Sequence, residues 1–462
     1  MTFSSSRRTV LLSTLSLSVV AALGGTACSQ QPAAAVGADP ATGDTAAEAA
    51  DFVTVEGPHF KLKGETYRYV GANMWYAAYL GADAAFGDRE RLHKELDDLK
   101  ALGVTNLRIL ASSELSPLKN SLDPAFRTKE DGNYNAELLA GLDYLLVELG
   151  KRDMKGVLYL TNFWEWSGGM MAYMDYVTGN YINNGDPNHP WPAFAKHSAQ
   201  FYSNPQAVAM YHDYVRFLVS RTNSLTGKAY ADDPTIMAWQ LSNEPRQGGD
   251  EVDSAANQPA YLKWISDTAK LIRSIDKNHL VSLGHEGTMG AVGNAQYVLD
   301  AHADIDYLTG HIWPQNWSWV DGKDLPGTFD AGALKTQAYI DQHIALATQL
   351  DKPLVFEEFG FPRDEGQYEP GTPTVWKDKF YAMIYGAVEN AVKTGGPVAG
   401  SNFWAWGGAG RALNADYHMK RGETAYLGDP PHEPQGWYSV FNTDTSTQAL
   451  IKAHAAAISS LP

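Results

Sequence analysis

Two acidic motifs stand at the points where apolar stretches of the sequence end. Residues 236–241 read IMAWQL and are soon followed by Glu244, whereas the apolar stretch 354–356 is followed directly by Glu357 and Glu358. Short apolar runs are typical of buried parallel strands, and barrel enzymes carry their chemistry at the carboxyl ends of such strands. The two motifs together indicate cleavage of a glycosidic bond. That reaction needs one carboxyl group to protonate the leaving oxygen and a second to attack the anomeric carbon or activate water.

The second motif offers two adjacent carboxyl groups. Neighbouring residues of a strand point to opposite faces, so we expect only one of Glu357 and Glu358 to reach the mouth of a barrel. Alternation alone leaves open which of them does so. A separation of about 5–5.5 Å between the two working carboxyl groups predicts retention of anomeric configuration, and about 6.5–9.5 Å predicts inversion.

The composition is that of a globular protein with a neutral partner. Of the 462 residues, 44% are hydrophobic and 19% are charged, which is enough to form a large core. The formal net charge of −17 argues against nucleic acid or an anionic membrane as the substrate. Thirteen Trp and 24 Tyr supply aromatic rings of the kind that stack on sugars.

Residues 1–27 predict an export signal. Arg7 and Arg8 precede an apolar stretch at 10–23, and small residues follow up to Ala27. This is the order of regions in a signal peptide, and the paired arginines also resemble a twin-arginine signal. We therefore expect an exported protein that is periplasmic, attached to the outer membrane as a lipoprotein, or secreted.

The single cysteine, Cys28, directly follows the predicted signal. One cysteine excludes an internal disulfide bond. Its position after Gly25, Thr26 and Ala27 resembles the processing site of a bacterial lipoprotein, so a lipidated Cys28 is the one membrane attachment that the sequence offers; simple secretion is the alternative. The Ala-rich stretch 28–50 predicts a flexible tether, and residues 51–462 form the predicted catalytic domain.

Helical and strand patterns alternate along this domain. A hairpin is predicted at 60–69, and helices with leucines at helical spacing follow at 91–102 and 138–149. The alternation predicts parallel βα units, and eight strands indicate an α/β protein with the (β/α)₈ TIM barrel fold. The predicted strands are 69–72, 106–110, 157–160, 236–241, 280–283, 305–309, 354–356 and 398–403. Two long segments without strong periodicity, 163–198 and 407–437, are expected to shape a substrate cleft.

Motifs at the predicted strand ends resemble glycoside hydrolase family 5, and specifically its β-mannanases. The similarity covers residues 52 to about 446. It is carried by eight motifs in barrel order, which read GANMWYAAYL, NLRIL, TNFWEWSGG, IMAWQLSNEPR, SLGHEG, HIWPQNWSW, VFEEFG and NFWAWGGAGR. The resemblance implies a retaining endo-β-1,4-mannanase.

The resemblance also implies roles for individual residues. Glu244 matches the acid/base of the NEP motif, and Asn243 matches the residue that holds the sugar 2-hydroxyl. Glu358, as the Glu before an aromatic residue and Gly, matches the nucleophile. Arg108 matches an arginine beside the nucleophile, where its charge would keep that carboxylate ionised.

Further candidates for sugar contacts lie at other strand ends. The resemblance implies that His311 bonds to substrate, that Trp404 forms the platform for the sugar at the cleaved bond, and that Trp406 lines a neighbouring subsite. Trp313 stands where many members have a Tyr that orients the nucleophile, and it offers an N–H donor or a stacking surface. The other candidates are Asn162, Trp164, His285 and Glu286.

No metal or other cofactor is expected, because the sequence has no HExxH spacing and adjacent His285 and Glu286 diverge on a strand. The expected partner is a β-mannan or manno-oligosaccharide, not nucleic acid, and the sequence leaves the oligomeric state open. Three alternatives remain: an exo-acting mannosidase or mannobiohydrolase of the same family, a β-1,4-glucanase, and a non-catalytic mannan-binding lipoprotein.

Overall fold

The computed structural model of the protein describes residues 51–128 and 132–461. The predicted signal at 1–27, Cys28 and the predicted tether up to residue 50 lie outside the described residues, so these assignments stay predictions. No helix within the described ranges has the length and apolar character needed to cross a bilayer.

Eight parallel strands form the centre of the fold, as predicted. Strand β4 is followed around the sheet by β5, β6, β7 and β8 on one side and by β11, β10 and β9 on the other. Their bounds are β4 Tyr69–Asn73, β5 Asn106–Leu110, β6 Lys155–Tyr159, β7 Ile236–Gln240, β8 Leu280–Ser282, β9 Leu308–Ile312, β10 Leu354–Phe359 and β11 Val398–Phe403. The sixth barrel strand, β9, begins three residues later than predicted, because Asp306 is still in the turn, where its carboxylate accepts the Val281 N–H at 2.6 Å.

Amphipathic helices surround the strands. Several begin at a residue whose side chain accepts a hydrogen bond from a free N–H of the first turn, as Asp88, Asn135 and Asp250 do. The described helices are α1 Ala77–Gly81, α2 Arg89–Ala101, α3 Ala136–Gly150, α4 Gly169–Thr178, α5 Ala193–Ser198, α6 Pro205–Val219, α7 Glu251–Ile275, α8 Ala295–Ala301, α9 Leu325–Leu350, α10 Val375–Lys393 and α11 Thr445–Ser460. Helices α2 and α3 confirm the two predicted leucine patterns.

A small antiparallel sheet covers the amino-terminal end of the barrel. It consists of β1 Thr54–Glu56, β2 His59–Leu62 and β3 Glu65–Tyr67, and the β2–β3 hairpin confirms the prediction for residues 60–69. Phe60 is fully buried and its ring meets that of Tyr307 edge to face at 5.2 Å. Apolar side chains therefore fill this end of the barrel, and the opposite end is left for polar groups.

Polar side chains occupy the barrel interior towards the carboxyl end. Asn402 donates to Asn106 at 3.1 Å, and both side chains are fully enclosed. A Cβ atom at Gly71 on β4 would overlap the amide of Asn402, so glycine leaves room for this pair. The Asn106 amide also donates to the sulfur of Met237 at 3.4 Å, so this pair fills the barrel interior between β11, β5 and β7.

The two long segments predicted to shape a cleft meet each other. Residues 163–198 contain α4 and α5, whereas residues 407–437 consist mostly of turns after the short strand β12 Trp406–Gly408, which pairs with β13 Val440–Phe441. The ring of Trp166 stacks on that of His432 at 6.4 Å. Arg421 ties the second segment to the connection after β5 through Asp123, at 3.0 Å.

Gly284 links the ends of two barrel strands. Its backbone has a φ of +80°, its carbonyl accepts the Glu244 N–H at 2.8 Å, and a Cβ atom there would overlap the carbonyl oxygen of Ser242.

We expect Gly284→Ala to lower the free energy of unfolding by about 1–3 kcal/mol more than Gly293→Ala, a matched control that also has a φ of +80° but open space around it. Urea denaturation measures both variants, and equal losses would contradict the steric argument.

Candidate active site

A cavity of about 550 Å³ opens at the carboxyl end of the barrel. Its walls combine four glutamate side chains, several indole rings and side chains from both long segments. The lining residues are Trp164, Trp166, Asn184, Trp191, Asn243, Glu244, Arg246, Glu286, Met289, Trp313, Asn316, Trp317, Ser318, Glu358, Trp404, Pro430, His432 and Glu433. Glu244 and Glu358, predicted from separate strand ends, therefore share one cavity.

Glu244 lies just beyond β7 in a left-handed backbone conformation, with a φ of +48°. This conformation turns its carboxylate into the cavity, where it is 7% exposed. One carboxylate oxygen accepts the indole N–H of Trp164 at 2.5 Å, and the other lies 2.6 Å from Nδ1 of His311. Glu244 is thus fixed by two side chains while keeping access to the cavity.

Glu357 and Glu358 do not alternate as expected. The register between β10 and β9 shifts between Phe356 and Glu358, and this irregularity lets both carboxylates meet groups inside the barrel. Glu357 accepts two hydrogen bonds from Nε2 of Gln240, at 2.8 and 3.0 Å, and does not line the cavity. The strict alternation argument is therefore wrong, although Glu358 alone of the two reaches the cavity.

The two cavity carboxylates lie close together. One oxygen of Glu244, one oxygen of Glu358 and a ring nitrogen of His311 all lie within 4.8 Å of one another. Inverting glycosidases need a gap of about 6.5–9.5 Å between carboxyl groups to admit a water molecule. Oxygens of the two carboxylates within 4.8 Å of each other favour direct attack by a carboxylate.

Arg108 on β5 holds the nucleophile candidate from below. Its guanidinium forms an ion pair with Glu358 and donates to Gln240 at 2.8 Å and to Asn243 at 2.6 Å. The side chain is fully buried and does not line the cavity, so it reaches Glu358 from inside the barrel, and a substrate-binding role for it stays a prediction. Burial alone would raise the pKa of Glu357, but the charge of Arg108 and the hydrogen bonds from His311 and Gln240 lower it below the ordinary value.

Asn243 and Asn162 form a chain of amides. Asn243 lines the cavity; its oxygen accepts from Arg108, and its nitrogen donates to the oxygen of Asn162 at 3.1 Å. That oxygen also accepts the backbone N–H of Trp164 at 3.0 Å. Asn162 is fully buried outside the cavity lining, so it positions Asn243 and Trp164, and its contact with sugar stays a prediction.

His311 lies beneath the carboxylates. Nδ1 is 2.6 Å from Glu244 and 3.2 Å from Glu358, and Nε2 is 3.2 Å from Glu357. Burial alone would lower the pKa of His311, but the charge of Glu358 and the hydrogen bonds to the surrounding carboxylates raise it well above the ordinary value. The ring is fully buried and outside the cavity lining, so in this structure it supports the carboxylates, and its contact with substrate stays a prediction.

The spacing of Glu244, His311 and Glu358 also matches that of a three-ligand metal site. A metal needs a ring nitrogen with a free lone pair, whereas a protonated imidazole uses both nitrogens as donors. Both ring nitrogens of His311 lie within hydrogen-bond distance of carboxylates, Nδ1 of Glu244 and Nε2 of Glu357, so hydrogen bonding accounts for this arrangement. The expectation that the reaction needs no metal stays a prediction.

Two indoles surround Glu358 on the cavity side. Trp313, immediately after β9, donates its N–H to Glu358 at 3.2 Å, and its ring meets Trp404 edge to face at 5.8 Å. Trp313 therefore takes the orienting contact, and Trp404 lines the cavity as predicted. Trp406 does not: it belongs to β12 rather than to barrel strand β11, so strand alternation does not extend to it, and it is fully buried in the core.

Other site residues carried weak signals in the sequence. Glu286, one of the further candidates, lines the cavity and forms a double hydrogen bond with Arg246 at 2.6 and 2.7 Å, whereas His285 is fully buried outside the lining. Arg246, the last residue of the NEPR motif, was not among the predicted site residues, although the motif could have indicated it. Glu433 comes from the segment 407–437, which has no periodicity to reveal it. Burial raises the pKa of Glu433 well above the ordinary value, and nearby acidic charges add to the effect.

Trp313 provides a test of how Glu358 is oriented. A hydrogen bond to a charged group contributes about 1.5–3 kcal/mol, so Trp313→Phe should lower kcat about 10- to 100-fold on an aryl β-mannoside. Trp313→Tyr restores a donor and should recover part of the loss. Steady-state kinetics of both variants decides the matter: equal activity in Phe and Tyr variants would show that packing, and not the N–H group, matters here.

Comparisons with known proteins agree with this geometry. A family model described as GH family 5 beta-mannosidase-like matches residues 50–462. Mannan endo-1,4-beta-mannosidase 1 of Oryza sativa subsp. japonica is 30% identical over 372 residues, covering 76% of this chain and 78% of that protein.

Solved structures are similar over most of the chain. The glycoside hydrolase family 5 mannosidase from Rhizomucor miehei is 33% identical, with a TM-score of 0.80, and the match covers 89% of this chain and 98% of the other. A mutant of that enzyme in complex with mannosyl-fructose has the same identity and coverage, with a TM-score of 0.78. The chain therefore belongs to the β-mannosidase-like members of glycoside hydrolase family 5, and it is a glycoside hydrolase with a (β/α)₈ barrel.

Proposed function

We propose that this protein hydrolyses β-1,4-mannosidic bonds of mannan with retention of configuration. Glu244 acts as the acid/base and Glu358 as the nucleophile. The observation that carries the proposal is the short distance between the two carboxylates, within 4.8 Å, inside a cavity walled by indole rings. Such rings stack on the apolar faces of sugars without needing a charged substrate.

The first half-reaction forms a glycosyl-enzyme. A carboxylate oxygen of Glu358 attacks the anomeric carbon, and the bond from that carbon to the leaving oxygen breaks as Glu244 transfers its proton to that oxygen. In the second half-reaction Glu244 takes a proton from water, the water oxygen attacks the anomeric carbon, and Glu358 departs as carboxylate. Two inversions at one carbon give net retention.

Different neighbouring residues contact each of the two catalytic acids. Arg108 forms an ion pair with Glu358 and Trp313 donates its N–H to it, so both hold the nucleophile in place. Asn243 is held by Arg108 and Asn162 with its side chain at the cavity wall, where it can meet the 2-hydroxyl of the sugar. Trp164 donates to one oxygen of Glu244 and leaves the other next to His311.

The names of relatives support mannan as the substrate. The rice protein is named a mannan endo-1,4-beta-mannosidase, and the Rhizomucor enzyme is named a mannosidase and holds mannosyl-fructose. Within this proposal endo action is the first candidate. A β-1,4-glucanase remains an outcome of the test below, whereas a non-catalytic binding protein disagrees with the complete acid pair and the family assignment.

One observation favours exo action as a second candidate. Trp166 and His432 stack on each other, so the segments 163–198 and 407–437 meet beside the cavity. Trp166 also packs on Trp75, at 5.5 Å, and Arg421 reaches Asp123 after β5. The cleft is thereby walled on the side of the first two barrel strands, which would limit how many sugars bind there.

Hydrolysis of linear mannohexaose, with cellohexaose in parallel, tests the proposal. We expect mannohexaose to be cleaved and the first product to carry the β-anomer, as retention requires. Proton NMR reads the anomer at early times, and chromatography reads the product lengths. Glu244→Ala and Glu358→Ala should each lose most of the turnover.

The outcomes separate the alternatives. A mixture of short oligomers establishes endo action, and mannose or mannobiose from the start establishes exo action. An initial α-anomer would contradict Glu358 as the nucleophile, and cleavage of cellohexaose alone would replace mannan by glucan.

We also propose that the protein is exported and attached to a membrane through lipidated Cys28. The support is the sequence of the first 28 residues, namely the paired arginines, the apolar stretch and the Gly-Thr-Ala-Cys end. Metabolic labelling with radioactive palmitate in a bacterial host tests this: wild type should be labelled and Cys28→Ser should not. A wild-type protein that is released without label would establish simple secretion.

A further inference from the structure

Trp191 is an exposed indole beside the cavity, in the segment 163–198. It is 49% exposed, whereas most of the large apolar side chains of the domain are buried. Exposing an indole costs free energy unless something covers it. Trp191 also forms part of an ordered stack, and this gives the exposed ring a fixed direction relative to the catalytic acids.

The stack begins at the catalytic acid/base. Trp164 donates its N–H to Glu244, and its ring lies nearly parallel to that of Trp191, with the centroids 6.4 Å apart and 27° between the planes. Trp164 also stacks on Phe194, with the ring centroids 5.7 Å apart and 5° between the ring planes. The indole of Trp191 therefore lies one ring beyond the indole that contacts Glu244, and both rings line the cavity.

A buried ion pair holds the stack in place. The guanidinium of Arg246 lies 5.0 Å from the ring centre of Trp164 and 5.6 Å from that of Trp191. The same guanidinium is fixed by two hydrogen bonds to Glu286. Cation–π attraction to an anchored arginine orders both rings before a ligand arrives.

The backbone beside Trp191 is also fixed. A Cβ atom at Gly249 would overlap the Cβ of Pro192, so the segment carrying Trp191 packs directly on the connection that follows Glu244. A ring that is held from beneath and exposed on its outer face loses little conformational entropy when it binds a flat apolar surface. Such a ring is suited to the apolar face of a pyranose.

The chemistry of the two acids gives the stack its position in the substrate. Glu244 protonates the leaving oxygen, so groups next to Glu244 face the departing part of the chain, whereas Trp313, whose ring meets that of Trp404, donates to the other acid, Glu358. We propose that Trp191, ordered by Arg246, forms a sugar-binding platform for the leaving part of the chain, one sugar beyond the unit adjacent to the cleaved bond. This inference rests on the proposed function.

The experiment compares a substrate that reaches the platform with one that does not. Mannopentaose extends past the first leaving-group unit, whereas p-nitrophenyl β-mannoside ends there. In Trp191→Ala we expect the ratio of kcat/KM for mannopentaose to kcat/KM for the aryl mannoside to fall about tenfold, corresponding to about 1.4 kcal/mol, mainly through KM. Trp191→Tyr should recover part of the ratio, because it restores an aromatic face.

Phe217→Ala is the matched control. Phe217 is an exposed aromatic residue on α6 outside the cavity lining, and its removal should leave both substrates unchanged. A second measurement is independent of turnover: in a Glu358→Ala background, titration calorimetry should show weaker mannopentaose binding when Trp191→Ala is added.

An unchanged ratio in Trp191→Ala, with unchanged binding in the Glu358→Ala background, would overturn the platform while leaving the proposed function intact. If the wild-type enzyme cleaved no mannoside at all, the proposed function and the platform would fail together. A fall in both substrates by the same factor would show that Trp191 merely supports the fold, and this too would overturn the inference.

Discussion

The buried guanidinium of Arg108 is the interaction on which the rest of the site depends. It pairs with Glu358 and also donates to Gln240 and Asn243, so one cation fixes groups from three other positions of the barrel. Removing one partner of a buried ion pair costs about 3–5 kcal/mol, because the remaining charge stays without water. The polar barrel interior is therefore as much a structural requirement as a catalytic one.

His311 completes this arrangement from the other side. Three carboxylates, Glu244, Glu357 and Glu358, converge on one ring, and their mutual repulsion would be large without a cation between them. The pKa of His311 is raised and that of Glu357 is lowered because the imidazolium and the carboxylate stabilise each other. The carboxylates can thus lie close enough for direct attack on a sugar.

The cavity walls are ordered in layers outward from this charged centre. Trp164 and Trp313 each donate an N–H to one catalytic carboxylate and offer a ring to the cavity. Trp191 and Trp404 continue these two surfaces through ring contacts. The N–H groups of Trp164 and Trp313 orient the catalytic carboxylates, and the apolar ring faces can bind sugar.

The sequence by itself determined the barrel, the two acids and where most of the strands begin, since apolar runs, caps and strand-end motifs are local properties. It placed Glu244 and Trp404 just after the right strands, and Arg108 and Glu358 on the right strands. Only the tertiary structure decided what each side chain touches. A register shift brings Glu357 inside, Trp406 belongs to another strand, Asn162 and His311 lie beneath the site, and Trp191 and Glu433 join it from loops. Such contacts join residues far apart in the chain, and local periodicity does not encode them.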